Sequence, residues 1–204
     1  MLGQSPLAFI AKIVGGTAIT PGVVGKQGEL WDGQRHAPGY AAAYSGVVGM
    51  VSSSAGRTLS AALATTYTGL CLSNPAGSGK NLVLLRASGV LNVAPAALTA
   101  VLLATGYVAG GVTVHTTPET PLSAFVGTGP ALVGLADAAC TLVGTPAYSQ
   151  VLSETPAATS VLAFDRPLDG SIILPPGAWA AIVSTIAGPA AGLWASMIWE
   201  EVAP

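Results

Sequence analysis

From about Tyr44 onward the chain is a succession of short apolar runs separated by turn signals. The runs cover 47–51, 66–73, 82–93, 98–107, 111–115, 131–135, 140–143, 160–164, 171–174, 178–185 and 192–199. Between them lie Asn74-Pro75-Ala76-Gly77-Ser78-Gly79, Thr117-Pro118, Gly127-Thr128-Gly129-Pro130, Gly144-Thr145-Pro146, Asp165-Arg166-Pro167, Pro175-Pro176-Gly177 and Gly188-Pro189. Runs this short, broken this often by Gly and Pro and rich in Val and Thr, predict an all-β sandwich or barrel. Alternation is explicit in places. Thr66, Thr68 and Leu70 share one face of their run, with Tyr67, Gly69 and Cys71 on the other. The Ala-rich stretches 94–104 and 136–139, and residues 59–65, read as candidate short helices. No heptad is sustained, so no coiled-coil stalk is expected.

Residues 1–45 have no sustained period. They hold five of the 16 charges, Lys12, Lys26, Glu29, Asp32 and Arg35, within a Gly-rich run. This predicts an extended N-terminal arm over 1–45, with at most one or two short strands, and a β-sandwich domain over 46–204.

Composition sharpens this picture. Only 8% of the 204 residues are charged, where about 25% is usual for a soluble domain. The 26 Gly and 15 Pro stay short of the roughly 25–30% that marks a low-complexity chain, and 51% hydrophobic residues suffice for a sizeable core. A net charge of −2 offers no electrostatic footprint for nucleic acid. Two long stretches, 87–118 and 170–199, lack Asp, Glu, Lys and Arg. Pro95, Pro175, Pro176 and Pro189 break them, and no Lys/Arg cluster flanks them, so no spanning helix and no membrane partner is expected. The first residues, with Lys12 late and Gln4-Ser5-Pro6 interrupting, do not read as a secretory signal. Several runs are apolar on both faces. Strands buried on both sides read this way, and so do strands covered by another subunit. The scarcity of charge therefore predicts an outer surface covered by further copies of the chain or by a larger assembly.

Candidate chemistry is sparse. Gly77-Ser78-Gly79-Lys80-Asn81 approaches a phosphate loop, but Asn74 stands at the first Gly position and Asn81 where a Ser or Thr would hold magnesium. A strand-like run follows, where that motif opens a helix. A hairpin turn with a solvated Lys80 is expected instead. His36 and His115 stand in no metal-ligand spacing. Asp165 and Asp169 read as a surface turn, and Glu200-Glu201 as a solvated terminus. Cys71 and Cys140 form no CxxC motif. They are either two buried thiols, the reading their isolation favours, or a disulfide. Trp194 and Trp199, five apart, fall on opposite faces of one strand. The expectation is core on one face and subunit interface on the other, with an exposed sugar platform as the alternative. No catalytic, cofactor-binding or metal-binding residue is assigned, and no enzymatic activity is expected.

The stretch Thr68-Gly69-Leu70-Cys71-Leu72-Ser73-Asn74-Pro75-Ala76-Gly77-Ser78-Gly79-Lys80-Asn81-Leu82-Val83-Leu84-Leu85 is similar to a hairpin in structural proteins of tailed bacteriophage virions. The ending from Leu174-Pro175-Pro176-Gly177 to Trp199-Glu200-Glu201-Val202 resembles the close of those proteins, and Gly39-Tyr40-Ala41-Ala42-Ala43-Tyr44-Ser45-Gly46 the lead-in to their first core strand. The resemblance implies a jelly-roll domain, usually trimeric, that decorates or cements a capsid by binding the major capsid protein. It implies a place on the virion surface after synthesis in the host cytoplasm. The alternative is a head or tail fibre or spike component that binds a host surface glycan. The resemblance supplies no catalytic residues and no cofactor.

Overall fold

The computed structural model describes residues 39–111, 114–127, 131–155 and 161–204, together with the backbone of two short strands, β1 (Val23–Val24) and β2 (Leu30–Trp31). The chain divides into two compact units, 1–41 and 42–204. In the first, β1 and β2 pair antiparallel, Val23 opposite Trp31. The rest of the expected arm up to residue 38 lies outside the described residues, His36 with it.

Of the described residues, 56% lie in strands and 3% in helix. The helix is α1 (Tyr40–Tyr44), at a place where the sequence predicted none. The strands that follow are β3 (Val48–Ser52), β4 (Thr66–Ser73), β5 (Asn81–Leu91), β6 (Ala100–Tyr107), β7 (Val114–Glu119), β8 (Leu122–Ser123), β9 (Leu135–Thr141), β10 (Ala147–Glu154), β11 (Leu162–Leu174), β12 (Ala178–Ser184) and β13 (Leu193–Val202). They form a six-stranded sheet in the order β10-β6-β12-β4-β9-β7 and a five-stranded sheet in the order β11-β5-β13-β3-β8. Every strand–strand pairing within these sheets is antiparallel, and the two sheets pack as the expected all-β sandwich. Among the described residues no helix is long and apolar enough to cross a membrane.

The pairing is nested. β3 lies beside β13, β4 beside β12, β5 beside β11 and β6 beside β10. The chain thus runs out along four strands and returns antiparallel beside them, with β7–β9 inserted at the far end. The two arms then wrap, because β12 also pairs with β6 and β13 with β5.

Three local expectations are corrected. The Ala-rich stretches are not helices: 100–107 is β6, 136–139 is part of β9, and 59–65 has no helix. Alanine's helix preference is a few tenths of a kcal/mol per residue and yields to burial between strands. The Asn74–Lys80 turn is not a hairpin, since β4 and β5 belong to different sheets. It crosses the sandwich. Gly77 and Gly79 turn the chain at φ of 77° and 67°, and Asn74 Nδ2 donates to the carbonyls of Lys80 and Leu174, each at 2.8 Å. The Asp165–Asp169 segment is not a turn between strands but lies inside β11. There the register against β5 shifts between Pro167 and Ile172, with Asp169 at φ 47° and Gly170 at φ 76°. A bulge and a proline on an edge strand discourage pairing with a further strand.

The main core lies between the sheets. Leu70, Leu72, Val101, Leu103, Ala180 and Ile182 of the six-stranded sheet meet Leu82, Leu84, Ala87, Met197 and Trp199 of the five-stranded one. Each of the two core tryptophans sits over a glycine opposite it on the next strand. Trp199 covers Gly49, and Trp179 covers Gly106, where an added Cβ would lie 2.5 and 2.4 Å from an indole carbon. A second core occupies the other face of the six-stranded sheet: Tyr67, Cys71, Leu102, Ala104, Cys140, Leu142, Trp179, Ala181 and Val183. Leu63 and Val143 pack on it, and Trp179 Nε1 donates to the Val143 carbonyl at 2.8 Å. This is why β12 is buried at all seven positions.

Candidate functional site

Polar side chains gather in three places. The first is the end of β13, where strand alternation turns Glu201 to the face shared by Ala195, Met197 and Trp199. Its carboxylate is buried. Oε2 accepts from Lys80 Nζ at 2.9 Å, and Oε1 accepts from the backbone N–H of Val133 at 2.7 Å and of Gly134 at 3.0 Å. The Trp199 indole N–H lies 3.4 Å from Oε1. This corrects the expectation of a solvated Lys80 and a solvated Glu201. A buried carboxylate is tolerated because donors surround it and a cation faces it. With its lone pairs occupied, it acts as a clamp between the crossing turn, the 131–134 segment and the last strand.

The second place is the β4–β9–β7 side of the six-stranded sheet. Register sets Asp137 opposite Cys71 on β4, and His115 opposite Cys140 on β9. Asp137 is fully buried, and its Oδ2 hydrogen-bonds His115 Nδ1. Burial raises the Asp137 carboxyl above the ordinary range, outweighing the pull of His115 downward. Cys71 and Cys140 are buried free thiols, as their isolation in sequence favoured. Burial, then the neighbouring Cys140 thiol, pushes Cys71 well up, so it is held as an unreactive thiol. Tyr67 is likewise raised, chiefly by burial, and its hydroxyl sits between the carbonyls of Leu70 and Ile182.

Near this pair, Glu119 at the end of β7 accepts from Arg57 Nη2 at 2.6 Å and from the Ser54 N–H and hydroxyl at 3.2 and 3.1 Å. Burial acts to raise Glu119, but these donors together outweigh it and hold the carboxyl below its usual range.

A His–carboxylate pair is part of a nucleophile triad only when a hydroxyl or thiolate meets the other ring nitrogen. His115 Nε2 has no hydrogen-bond partner among the described residues. Among those residues no group of three or more His, Cys, Asp or Glu is placed to hold a metal ion. The His115–Asp137 contact joins β7 to β9, as Glu119 joins β7 to the 54–57 segment.

The third place is the outer face of the five-stranded sheet. Trp194 on β13 is 42% exposed, whereas Trp199 is fully buried, so the expected opposite faces hold. Trp194 borders a shallow cleft of about 200 Å³ lined by Ser52, Ser53, Gly89, Ala195 and Ser196. Two residues along β13, Ser196 meets Ser88 of β5, Oγ to Oγ 2.7 Å. Asp165 on β11 stands opposite Ser88 and takes a two-pronged contact from Arg86, Nε to Oδ1 at 2.5 Å and Nη2 to Oδ2. Arg86 and Asp165 are both half exposed. A separate apolar cleft of about 380 Å³ opens beside β6 and β11, where Tyr107 and Ile173 are more than half exposed.

The sequence motifs fare unevenly. Lys80 and Glu201 come together, and Asp165 finds Arg86. Asp169 shapes the bulge, and the side chain of Trp31 lies outside the described residues. The reasoning from sequence missed His115–Asp137, Arg57–Glu119 and Lys80–Glu201. Only the last left a local signal, since period-2 counting from Trp199 puts Glu201 on the core face. Comparison with family models, with curated proteins and with solved structures finds no match to this chain.

Proposed function

We propose that the chain is a virion structural protein, a capsid decoration or cement protein of the tailed-bacteriophage type. It works as a homotrimer on the virion surface and bridges neighbouring subunits of the major capsid protein. The observation that carries this reading is the nested pairing of β3–β6 with β13–β10. It supports reading the sandwich as a jelly roll, an architecture used by viral capsid domains. The insertion β7–β9 then extends both sheets at one side.

Two further observations agree. Charged residues are only 8% of the chain, which suits a surface that works against partners. Apolar groups are exposed near the β6, β10 and β11 side, where Tyr107, Tyr148, Val151 and Ile173 are each 46–55% accessible. The arm of residues 1–45 would link one trimer to adjacent capsid subunits by many weak contacts at high effective concentration.

An electron-microscopy map of the parent particle is the direct test. Density for the sandwich in groups of three on the shell is expected, and its absence from the shell removes the proposal. Light scattering on the purified protein should report a trimer, and a monomer of about 20 kDa at micromolar concentration counts against it. Deleting residues 1–25 should leave thermal unfolding nearly unchanged and weaken attachment to particles.

A further inference from the structure

We infer that the outer face of the five-stranded sheet is a binding site for a neutral oligosaccharide, with Trp194 as its stacking platform. The inference does not require the decoration role. It rests on how one aromatic ring, two hydroxyls and one ion pair follow each other across three strands.

Of the three tryptophans in β12 and β13, two fill cores and one does not. Trp179 and Trp199 are fully buried over glycines, while Trp194 is 42% exposed beside a concave surface. An indole has an apolar face and a polar edge, and it matches a pyranose ring, whose C–H bonds make one apolar face and whose hydroxyls point to the rim. Beyond the ring lie the Ser52 and Ser196 hydroxyls, with Ser88 bonded to Ser196. Next across the sheet lies the Arg86–Asp165 pair.

Register gives the length of this track. Asp165 is two strands over from β13 and level with Ser196, two residues along from Trp194. With strands about 4.8 Å apart and about 3.4 Å per residue, the Cα of Trp194 and of Asp165 are about 12 Å apart. That exceeds one pyranose ring and suits an oligosaccharide lying diagonally over the sheet. The carboxylate and guanidinium offer acceptors and donors to vicinal hydroxyls, and they cancel in charge. Beyond this pair lie Asp169, within the register shift of β11, and Glu200, at the far end of β13, and both are acidic. A neutral sugar is therefore favoured over an acidic one.

A second copy of the chain fits less well. The polar row Asp165, Ser88, Ser196, Ser52 separates Trp194 and Val90 from Ile198 and Met50, so the face has no continuous apolar patch for a protein partner. A ligand with alternating apolar and hydroxyl surfaces meets such a row without leaving groups unpaired.

The test uses the full chain on a printed array of neutral oligosaccharides built from glucose, galactose, mannose and N-acetylhexosamines. Calorimetry with the best-bound oligosaccharide follows. Trp194→Ala should weaken binding at least about tenfold, Trp194→Phe should restore most of it, and Asp165→Asn should weaken it several-fold. Light scattering of each variant should match the parent. The inference is overturned if nothing on the array binds more tightly than about 1 mM, or if Trp194→Ala binds as the parent does. It is equally overturned if Trp194→Ala lowers the light-scattering mass, which would make this face a contact between copies.

Discussion

The two sheets turn very different outer faces away from the sandwich core. On the six-stranded sheet that face is itself a core, with Tyr67, Cys71, Ala104, Trp179, Ala181 and Val183 almost inaccessible. The segments 59–65 and 142–146 lie over it. Leu63 and Val143 pack down, and Leu142 N–H bonds to the Thr65 carbonyl at 2.8 Å. On the five-stranded sheet Trp194, Ile173 and the Arg86–Asp165 pair are each about half exposed. Strands apolar on both faces therefore did not need a second subunit to be satisfied. For β12 the cover comes from the chain's own connections. The case for a trimer rests instead on the nested strand order, the sequence resemblance and the apolar groups beside β10.

The sharpest way to break this comparison is to truncate one tryptophan on each outer face. Trp179→Ala should cost about 3–5 kcal/mol in chemical denaturation, as large core truncations do. Trp194→Ala should change stability by less than about 0.5 kcal/mol, as exposed positions do. Equal and small effects would mean that the second core does not form in solution.

Glu201→Gln comes next. It removes the charge opposite Lys80 and weakens the acceptor for Val133 and Gly134, for an expected loss of about 1.5–3 kcal/mol. A double-mutant cycle with Lys80→Met should recover only a minor part, because Lys80 is one-third exposed and screened. A dominant recovery would shift the weight from the backbone clamp to the ion pair.

Gly106→Ala probes the same second core from the neighbouring strand. Its new methyl would meet the Trp179 indole, and a cost of about 1–3 kcal/mol is expected. A neutral result would show that the indole can move, and that the covering segments hold it loosely.

The smallest effect is a pH signature. Glu119 has a folded-state pKa below its usual range, so its stabilisation is present above the unfolded-state pKa and lost as pH falls through the lowered one. Glu119→Gln should flatten the acid limb of stability against pH. Asp137 is shifted the other way. Its contribution is full below the ordinary Asp pKa and lost as pH rises through the raised one, so Asp137→Asn should flatten that limb instead. Thermal melts across pH 3–7 check both signs, and a shared sign would refute the assignment.

Much of the architecture was legible in local pattern. The runs at 66–73, 178–185 and 192–199 became β4, β12 and β13 within three residues at either end, because period-2 alternation and Gly/Pro punctuation act over a few residues. The runs at 160–164 and 171–174 did not show that they are one strand, since Pro167 and Gly170 read as breaks. An edge position with a bulge accommodates both. The candidate sites were far less legible. His115 and Asp137 are 22 residues apart, Arg57 and Glu119 62, and Arg86 and Asp165 79. Nothing near any of these residues announces its partner.

The amino-acid sequence by itself determined that this chain is built from short strands, that Gly77 and Gly79 turn it sharply, and that its two cysteines are buried apolar groups. These outcomes depend on side-chain periodicity and on backbone freedom at single residues. Tertiary structure alone decided that the Asn74–Lys80 turn crosses between sheets, that Glu201 is clamped inside, and which outer face is covered. Those depend on which strands pair and in what register. Pairing is fixed by contacts between distant segments, and a strand's own alternation is the same whether its outer face meets solvent, a loop or another molecule.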